Sequence, residues 1–171
     1  MFKTKVFLTL TLLMLIGLTL IISCTPSEEE LPFETIEQAI TPPTGGYDAY
    51  YKGRQPNLTI ITDDRAVDQL TGITAEARSK LKTLNYGSHF ALVIFLGLQS
   101  TDHTGIRIER LIRHGDKALI TTWVGKQELT DKITSPYHLI KIQKKESWGK
   151  EIDFEAIADK TTIVTATRYI P

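Results

Sequence analysis

The stretch FALVIFL, Phe90–Leu96, is apolar at every position near the middle of a chain of 171 residues. A strand with one solvated face would alternate apolar and polar residues, whereas a short continuous apolar run is typical of a strand covered on both faces. We therefore expect residues 90–96 to form a central, fully buried strand that anchors the core.

Strand patterns also lie on both sides of this run. The stretch Gly105–Arg113 alternates until Leu111, which predicts a β-bulge near Glu109-Arg110. His114-Gly115-Asp116 then predicts a tight hairpin turn into the next strand. The remaining predicted strands are Phe33–Ile36, Asn57–Thr62, Lys117–Val124, Pro136–Ile142 and Thr161–Ile170. Short connections between successive strands favour antiparallel pairing.

Two short helices are predicted between the second strand and the apolar run. Asp63-Asp64 can cap a helix that continues to Leu70, and Thr74 can cap a second helix over Ala75–Leu84. The predicted fold is therefore α+β: a mainly antiparallel β-sheet with one or two short helices in the N-terminal half of the domain.

The first 24 residues have the pattern of a lipoprotein signal peptide. Lys3 and Lys5 precede the apolar stretch Val6–Ile22, and Ile21 and Ser23 precede Cys24 as a lipobox requires. We expect residues 1–23 to be removed and the thiol of Cys24 to carry a diacylglycerol. The amino group that cleavage creates on Cys24 could carry a further acyl chain. The alternative is an uncleaved transmembrane helix, but this apolar stretch is at the lower limit of length for a span. The predicted location is extracytoplasmic, lipid-anchored to a bacterial membrane.

Residues 24–32 are predicted to be a flexible tether between the lipid and the domain. The segment TPSEEELP, residues 25–32, is polar and acidic with a proline near each end, a composition that does not bury a core. A single globular domain is then expected over residues 33–171. Cys24 is the only cysteine, so the domain is predicted to have neither an internal disulfide nor a thiolate site.

Composition argues against several classes of function. The chain has 20 basic and 20 acidic residues and lacks a basic stripe, so no nucleic-acid partner is predicted. The histidines have no metal-ligand spacing and the glycines form no phosphate-binding loop, so neither metal nor cofactor is predicted. The four histidines are His89, His103, His114 and His138.

Two alternatives to a simple binding role remain open. Asp102-His103 places a carboxylate beside an imidazole, the minimum from which a small extracytoplasmic enzyme could be built. However, no nucleophile motif accompanies this pair, and no catalytic residue is assigned. Tyr47, Tyr50 and Tyr51 form an aromatic cluster that could line a ligand-binding module.

Residues 88–143 resemble the C-terminal domain of the PrcB-like protease-complex subunits, a family of bacterial secreted lipoproteins. The similar features are the apolar strand ending at Gly97, the Gly115-Asp116-Lys117 turn and the segment Thr134–Ile142. Thr104-Gly105-Ile106 stands where the family has Thr-Gly-Gly-Tyr, which occurs here at residues 44–47 instead.

The resemblance implies a non-enzymatic subunit that binds an exported protein and helps to mature or stabilise a cell-surface protease. The residues that correspond to the family motifs are the expected partner contacts: Thr104, Gly105, Ile106, Pro136 and Tyr137.

Overall fold

The computed structural model describes residues 28–39, 53–99, 105–125, 133–146 and 148–171. The strands are β1 Glu28–Glu30, β2 Phe33–Ala39, β3 Asn57–Ile61, β4 His89–Phe95, β5 Ile106–His114, β6 Lys117–Val124, β7 Tyr137–Gln143, β8 Lys150–Ala158 and β9 Thr161–Ile170. The two helices are α1 Asp64–Gln69 and α2 Ala75–Lys82. Most residues of the described ranges are thus in β-strands, and all strand pairs except one are antiparallel.

These strands form two sheets rather than one. The five-stranded sheet has the order β1-β5-β6-β8-β9, and the four-stranded sheet has the order β2-β7-β4-β3. The exception to antiparallel pairing is β8, which lies parallel to β6. Neither β8 nor the division into two sheets was predicted from the sequence.

The apolar run does form a fully buried interior strand, as predicted. Phe90, Leu92 and Ile94 face the core between the two sheets. Ala91, Val93 and Phe95, on the opposite face of β4, pack in a second core that includes residues of both helices. The described residues therefore form three layers, in the order five-stranded sheet, four-stranded sheet, helices.

The predicted helix caps are confirmed. The Asp63 carboxylate accepts a hydrogen bond from the N–H of Ala66 at 2.9 Å, and the Thr74 hydroxyl accepts one from the N–H of Ala77 at 3.0 Å. These bonds satisfy N–H groups that have no partner inside the first helical turn. The second helix ends at Lys82, slightly before the predicted end at Leu84.

The predicted bulge and hairpin in the five-stranded sheet are also confirmed. The register between β5 and β6 shifts between Ile108 and Arg110, which leaves Glu109 as the extra residue. The turn from β5 into β6 contains Gly115 with φ of 62°, a conformation that glycine adopts without steric cost.

The predicted tether is wrong over residues 28–32. Glu28–Glu30 forms β1, which pairs with β5, and Leu31 is buried in the core with its N–H bonded to the carbonyl of Leu111 at 2.8 Å. Glu30 forms an ion pair with Arg110 at 3.0 Å. The acidic run thus forms an edge strand in which Glu28 and Glu30 are exposed and Glu29 is half-buried, and the domain includes Glu28 rather than starting at Phe33.

The signal-peptide prediction over residues 1–23 lies outside the described residues, as do Cys24 and the first part of the tether. Within the described ranges, neither helix has the length and apolar character needed to cross a membrane.

Candidate functional site

Several predicted functional residues lie outside the described part of the chain. They are Cys24, Tyr47, Tyr50, Tyr51, Asp102, His103 and Thr104. The lipidation site, the aromatic cluster and the carboxylate–imidazole pair therefore stay predictions.

The other predicted partner contacts are buried inside the domain. Ile106 and Tyr137 are 1% and 0% exposed, and Gly105 and Pro136 are buried as well. The side chains of Ile106 and Tyr137 belong to the two cores, and none of the four residues is available to a protein docked on the domain surface. This burial corrects their assignment as contact residues, and it gives the motif residues of β5 and β7 a structural role.

Tyr137 joins three elements through its hydroxyl group. The hydroxyl donates a hydrogen bond to the Glu37 carboxylate on β2 and accepts one from the N–H of Thr74 at 3.3 Å. The Thr74 hydroxyl donates to the same carboxylate at 2.7 Å. Burial, reinforced by the negative charge of Glu37, raises the pKa of Tyr137 well above its ordinary value. The group holds the start of α2 on the four-stranded sheet.

His138 lies in the core between the sheets and is 2% exposed. Its Nδ1 accepts a hydrogen bond from the N–H of Ile108 at 2.8 Å, so the proton of the neutral ring is on Nε2, which lies 2.9 Å from the Thr35 hydroxyl. Burial, with a smaller contribution from the positive charge of Arg107, lowers the pKa of His138 to about 4. His138 is therefore a neutral link between sheets. No cluster of three potential metal ligands occurs among the described residues.

The surface with the most distinctive chemistry is the outer face of the five-stranded sheet. Its central feature is a row of three carboxylates, Glu151, Asp153 and Glu155, at alternate positions of β8 and therefore on one face. Ile152 and Phe154, between them, point into the core. We call these three residues the acidic row.

Threonines of β9 hold two members of the acidic row. The Asp153 carboxylate accepts a hydrogen bond from the Thr167 hydroxyl at 2.6 Å, and the Glu155 carboxylate accepts one from the Thr162 hydroxyl. Lys117 of β6 is in register with Asp153, whereas Leu119 is in register with Glu155. Lys117 places a cation beside Asp153, but neither Glu151 nor Glu155 forms an ion pair within the described ranges, so the two ends of the row present unpaired negative charge.

A shallow groove of about 450 Å³ runs along this face between β6 and β9. Its lining includes His114, Lys117, Asp153, Glu155 and Thr165.

Two aromatic side chains of the five-stranded sheet are unusually exposed. Trp123 on β6 is 45% exposed and Tyr169 on β9 is 53% exposed. The Arg107 guanidinium lies 5.1 Å from the centre of the Trp123 ring and forms an ion pair with Glu109 at 2.8 Å. The two described helices pack on the other sheet, so neither covers this face. The outer face thus combines fixed negative charge with exposed aromatic groups.

The sequence contained a signal for this surface that the strand predictions missed. Residues 151–155 alternate glutamate or aspartate with isoleucine or phenylalanine, the pattern of a half-buried strand with an acidic outer face. The residues of β6 and β9 that lie beside the acidic row could be identified only from the strand order.

Comparisons of this chain with protein-family models, with curated proteins and with solved structures found no match.

Proposed function

We propose that this protein is a non-enzymatic, lipid-anchored module that binds another exported protein through the outer face of its five-stranded sheet. The observation that carries the proposal is the acidic row on a sheet face that neither described helix covers. A hydrogen-bonded sheet holds such groups in a fixed arrangement, so little conformational entropy is lost when a partner docks.

The charge of the face indicates what kind of partner surface it fits. Because Glu151 and Glu155 lack ion-pair partners in the described ranges, a basic patch on the partner would gain from facing them. Trp123 and Tyr169 add the aromatic groups that commonly anchor protein interfaces. Such an interface would weaken as salt is added, because salt screens exposed charges.

The class of partner follows from the predicted signal peptide and from the resemblance. A lipid on Cys24 would hold the domain, which we class as α+β, on the outer side of a bacterial membrane. There it meets exported proteins. The PrcB-like features of residues 88–143 favour a cell-surface protease or its precursor as that partner.

The test is co-purification of the detergent-solubilised, full-length protein from its own membranes, with quantitative recovery of the associated protein. A Glu151→Gln, Glu155→Gln variant should retain about one tenth or less of the partner at low salt, because both charges that attract it are removed. The matched control is Glu76→Gln with Asp68→Asn, which removes two carboxylates of the helical layer that already form ion pairs with Lys80 and Lys82.

Equal recovery with the acidic-row variant and the control would overturn the proposal. So would a hydrolytic activity of the purified protein that Asp102→Asn or His103→Ala abolishes, since that result would favour the small-enzyme alternative.

A further inference from the structure

We infer that a second surface, the cleft between the β3 edge and Arg168, binds an extended acidic segment of another polypeptide by strand addition. The cleft is bounded by β3, by α1 with the loop that follows it, and by Arg168 of β9. Its volume is about 330 Å³, and its lining includes Asn57, Thr59, Gln69, Thr71 and Arg168.

The first element of the site is the free edge of β3. In the four-stranded sheet β3 pairs with β4 alone, so its other side ends the sheet within the described ranges. An edge strand has backbone N–H and C=O groups that can pair with an added strand. The sequence of β3, NLTII, contains neither proline nor lysine, the residues that most often block such pairing. The edge is therefore chemically competent to accept a strand.

The second element is the guanidinium group of Arg168 of β9, which lies beside the end of β3. Arg168 is exposed, and its one described hydrogen bond is a long one of 3.4 Å to the Thr62 hydroxyl at the end of β3. It forms no ion pair with any carboxylate of the described residues, unlike Arg107 and Arg110. An arginine in this state can bind a carboxylate through two parallel N–H donors.

Together the two elements specify the occupant. The backbone edge requires an extended segment with free N–H and C=O groups, and Arg168 requires a carboxylate side chain on that segment. The polar side chains of Asn57 and Thr59, which are hydrogen-bonded to each other at 2.8 Å, give this part of the cleft a hydrophilic wall. An acidic peptide of β-branched residues meets these requirements.

The cleft is independent of the surface in the proposed function. The acidic row lies on the outer face of the five-stranded sheet and would repel an acidic segment, whereas the lining of the cleft carries the cation of Arg168. The acidic row could therefore bind a basic patch while the cleft binds an acidic segment, whether the two belong to one partner or to two.

The experiment measures fluorescence anisotropy of a labelled heptapeptide, Thr-Val-Glu-Val-Glu-Val-Thr, titrated with the full-length protein in detergent. We expect about tenfold tighter binding than for the same peptide with both glutamates replaced by glutamine, since a charge-assisted hydrogen bond is lost in the second peptide. Arg168→Gln should remove that difference. The control Lys160→Gln, which removes a cation from the far end of the same hairpin, should leave it unchanged.

Strand addition is tested separately with two N-methylated versions of the acidic peptide. Successive N–H groups of a strand point to opposite sides, so methylation of one alternate set should abolish binding and methylation of the other should leave it within about threefold. Equal affinities for the glutamate and glutamine peptides, or for the two methylated peptides, overturn the inference. Neither result depends on whether a partner binds the acidic row.

Discussion

The imidazole Nδ1 of His138 accepts a hydrogen bond from the backbone N–H of Ile108, 2.8 Å away, and so joins the two sheets at the residue that precedes the β5 bulge. A protonated imidazole has only donors and could not make this bond. The contact therefore requires the neutral ring.

The first prediction is a loss of stability in acid. The pKa of His138 is lowered to about 4 in the folded protein from an ordinary value of 6.5, so the unfolded chain binds this proton first as the pH falls. Between pH 7 and pH 4 this should cost about 3 kcal/mol of unfolding free energy. Urea unfolding of wild type and of His138→Gln at pH 7 and at pH 4 measures this loss. The difference in unfolding free energy between the two proteins should be smaller at pH 4 than at pH 7 by about 3 kcal/mol. His114→Gln, at an exposed position, is the control, and its unfolding free energy should change with pH by the same amount as that of wild type.

The second prediction compares two glycines with similar backbone conformations. Gly97 has φ of 86° and Gly149 has φ of 74°, but a Cβ on Gly97 would lie 2.7 Å from the carbonyl oxygen of Arg54, whereas a Cβ on Gly149 would have no atom within 4 Å. Gly149→Ala should cost about 1–2 kcal/mol from the positive φ alone. Gly97→Ala should cost at least about 2 kcal/mol more, because backbone must move. Chemical denaturation measures both losses of unfolding free energy. Similar losses for the two variants would contradict the close approach of Gly97 to the backbone of Arg54.

The third prediction concerns the central strand. Ile94 is fully buried between the sheets, so Ile94→Ala should lower the unfolding free energy by about 2–5 kcal/mol. Ile133→Ala is the control, because Ile133 is 48% exposed, and should change stability by less than about 0.5 kcal/mol. A loss below about 1 kcal/mol for the Ile94 variant would contradict its place in the core.

The fourth prediction is a stabilising substitution at the turn between β8 and β9. Asp159 and Lys160 both have positive φ, 48° and 65°, where non-glycine residues are strained. Lys160→Gly should therefore raise the unfolding free energy by about 1 kcal/mol, although glycine also adds freedom to the unfolded chain. Lys160→Ala, which removes the long side chain but keeps the strain, should not be stabilised.

The fifth prediction is that Cys24 anchors the protein. Cys24→Ala should release the domain from the membrane fraction or leave a precursor that retains residues 1–23, because the thiol that receives the lipid is absent. Fractionation followed by mass determination of the mature N terminus distinguishes the two. Normal cleavage with undiminished membrane retention would show that lipid on this thiol is not the anchor.

Sequence reasoning located those elements whose signal is local. The FALVIFL run, the caps at Asp63 and Thr74 and the bulge after Ile108 each depend on residues close together in the chain. The β8–β9 hairpin was missed because its turn, Asp159-Lys160, has no glycine although both residues have positive φ. The acidic run of β1 was misassigned because composition alone does not show that Leu31 reaches the core.

The candidate site was not predictable because long-range pairing creates it. β6 and β8 are neighbours in one sheet, yet β7, which lies between them in the chain, belongs to the other sheet. Only that crossover brings Lys117 beside Asp153. Periodicity could have identified the acidic face of β8, but not the groove that β6 and β9 complete.

The same crossover has a consequence for how the protein would fold during the export that we propose. Ile152, Phe154 and Ala156 of β8 form part of the wall against which Phe90 packs, and the Phe90 and Phe154 rings are 6.1 Å apart. A chain that emerges from a membrane starting at its N-terminal end lacks this wall until β8 has passed through. In the proposed export, the core between the sheets would therefore close late, and the segment that precedes β8 would stay unfolded until β8 had crossed the membrane.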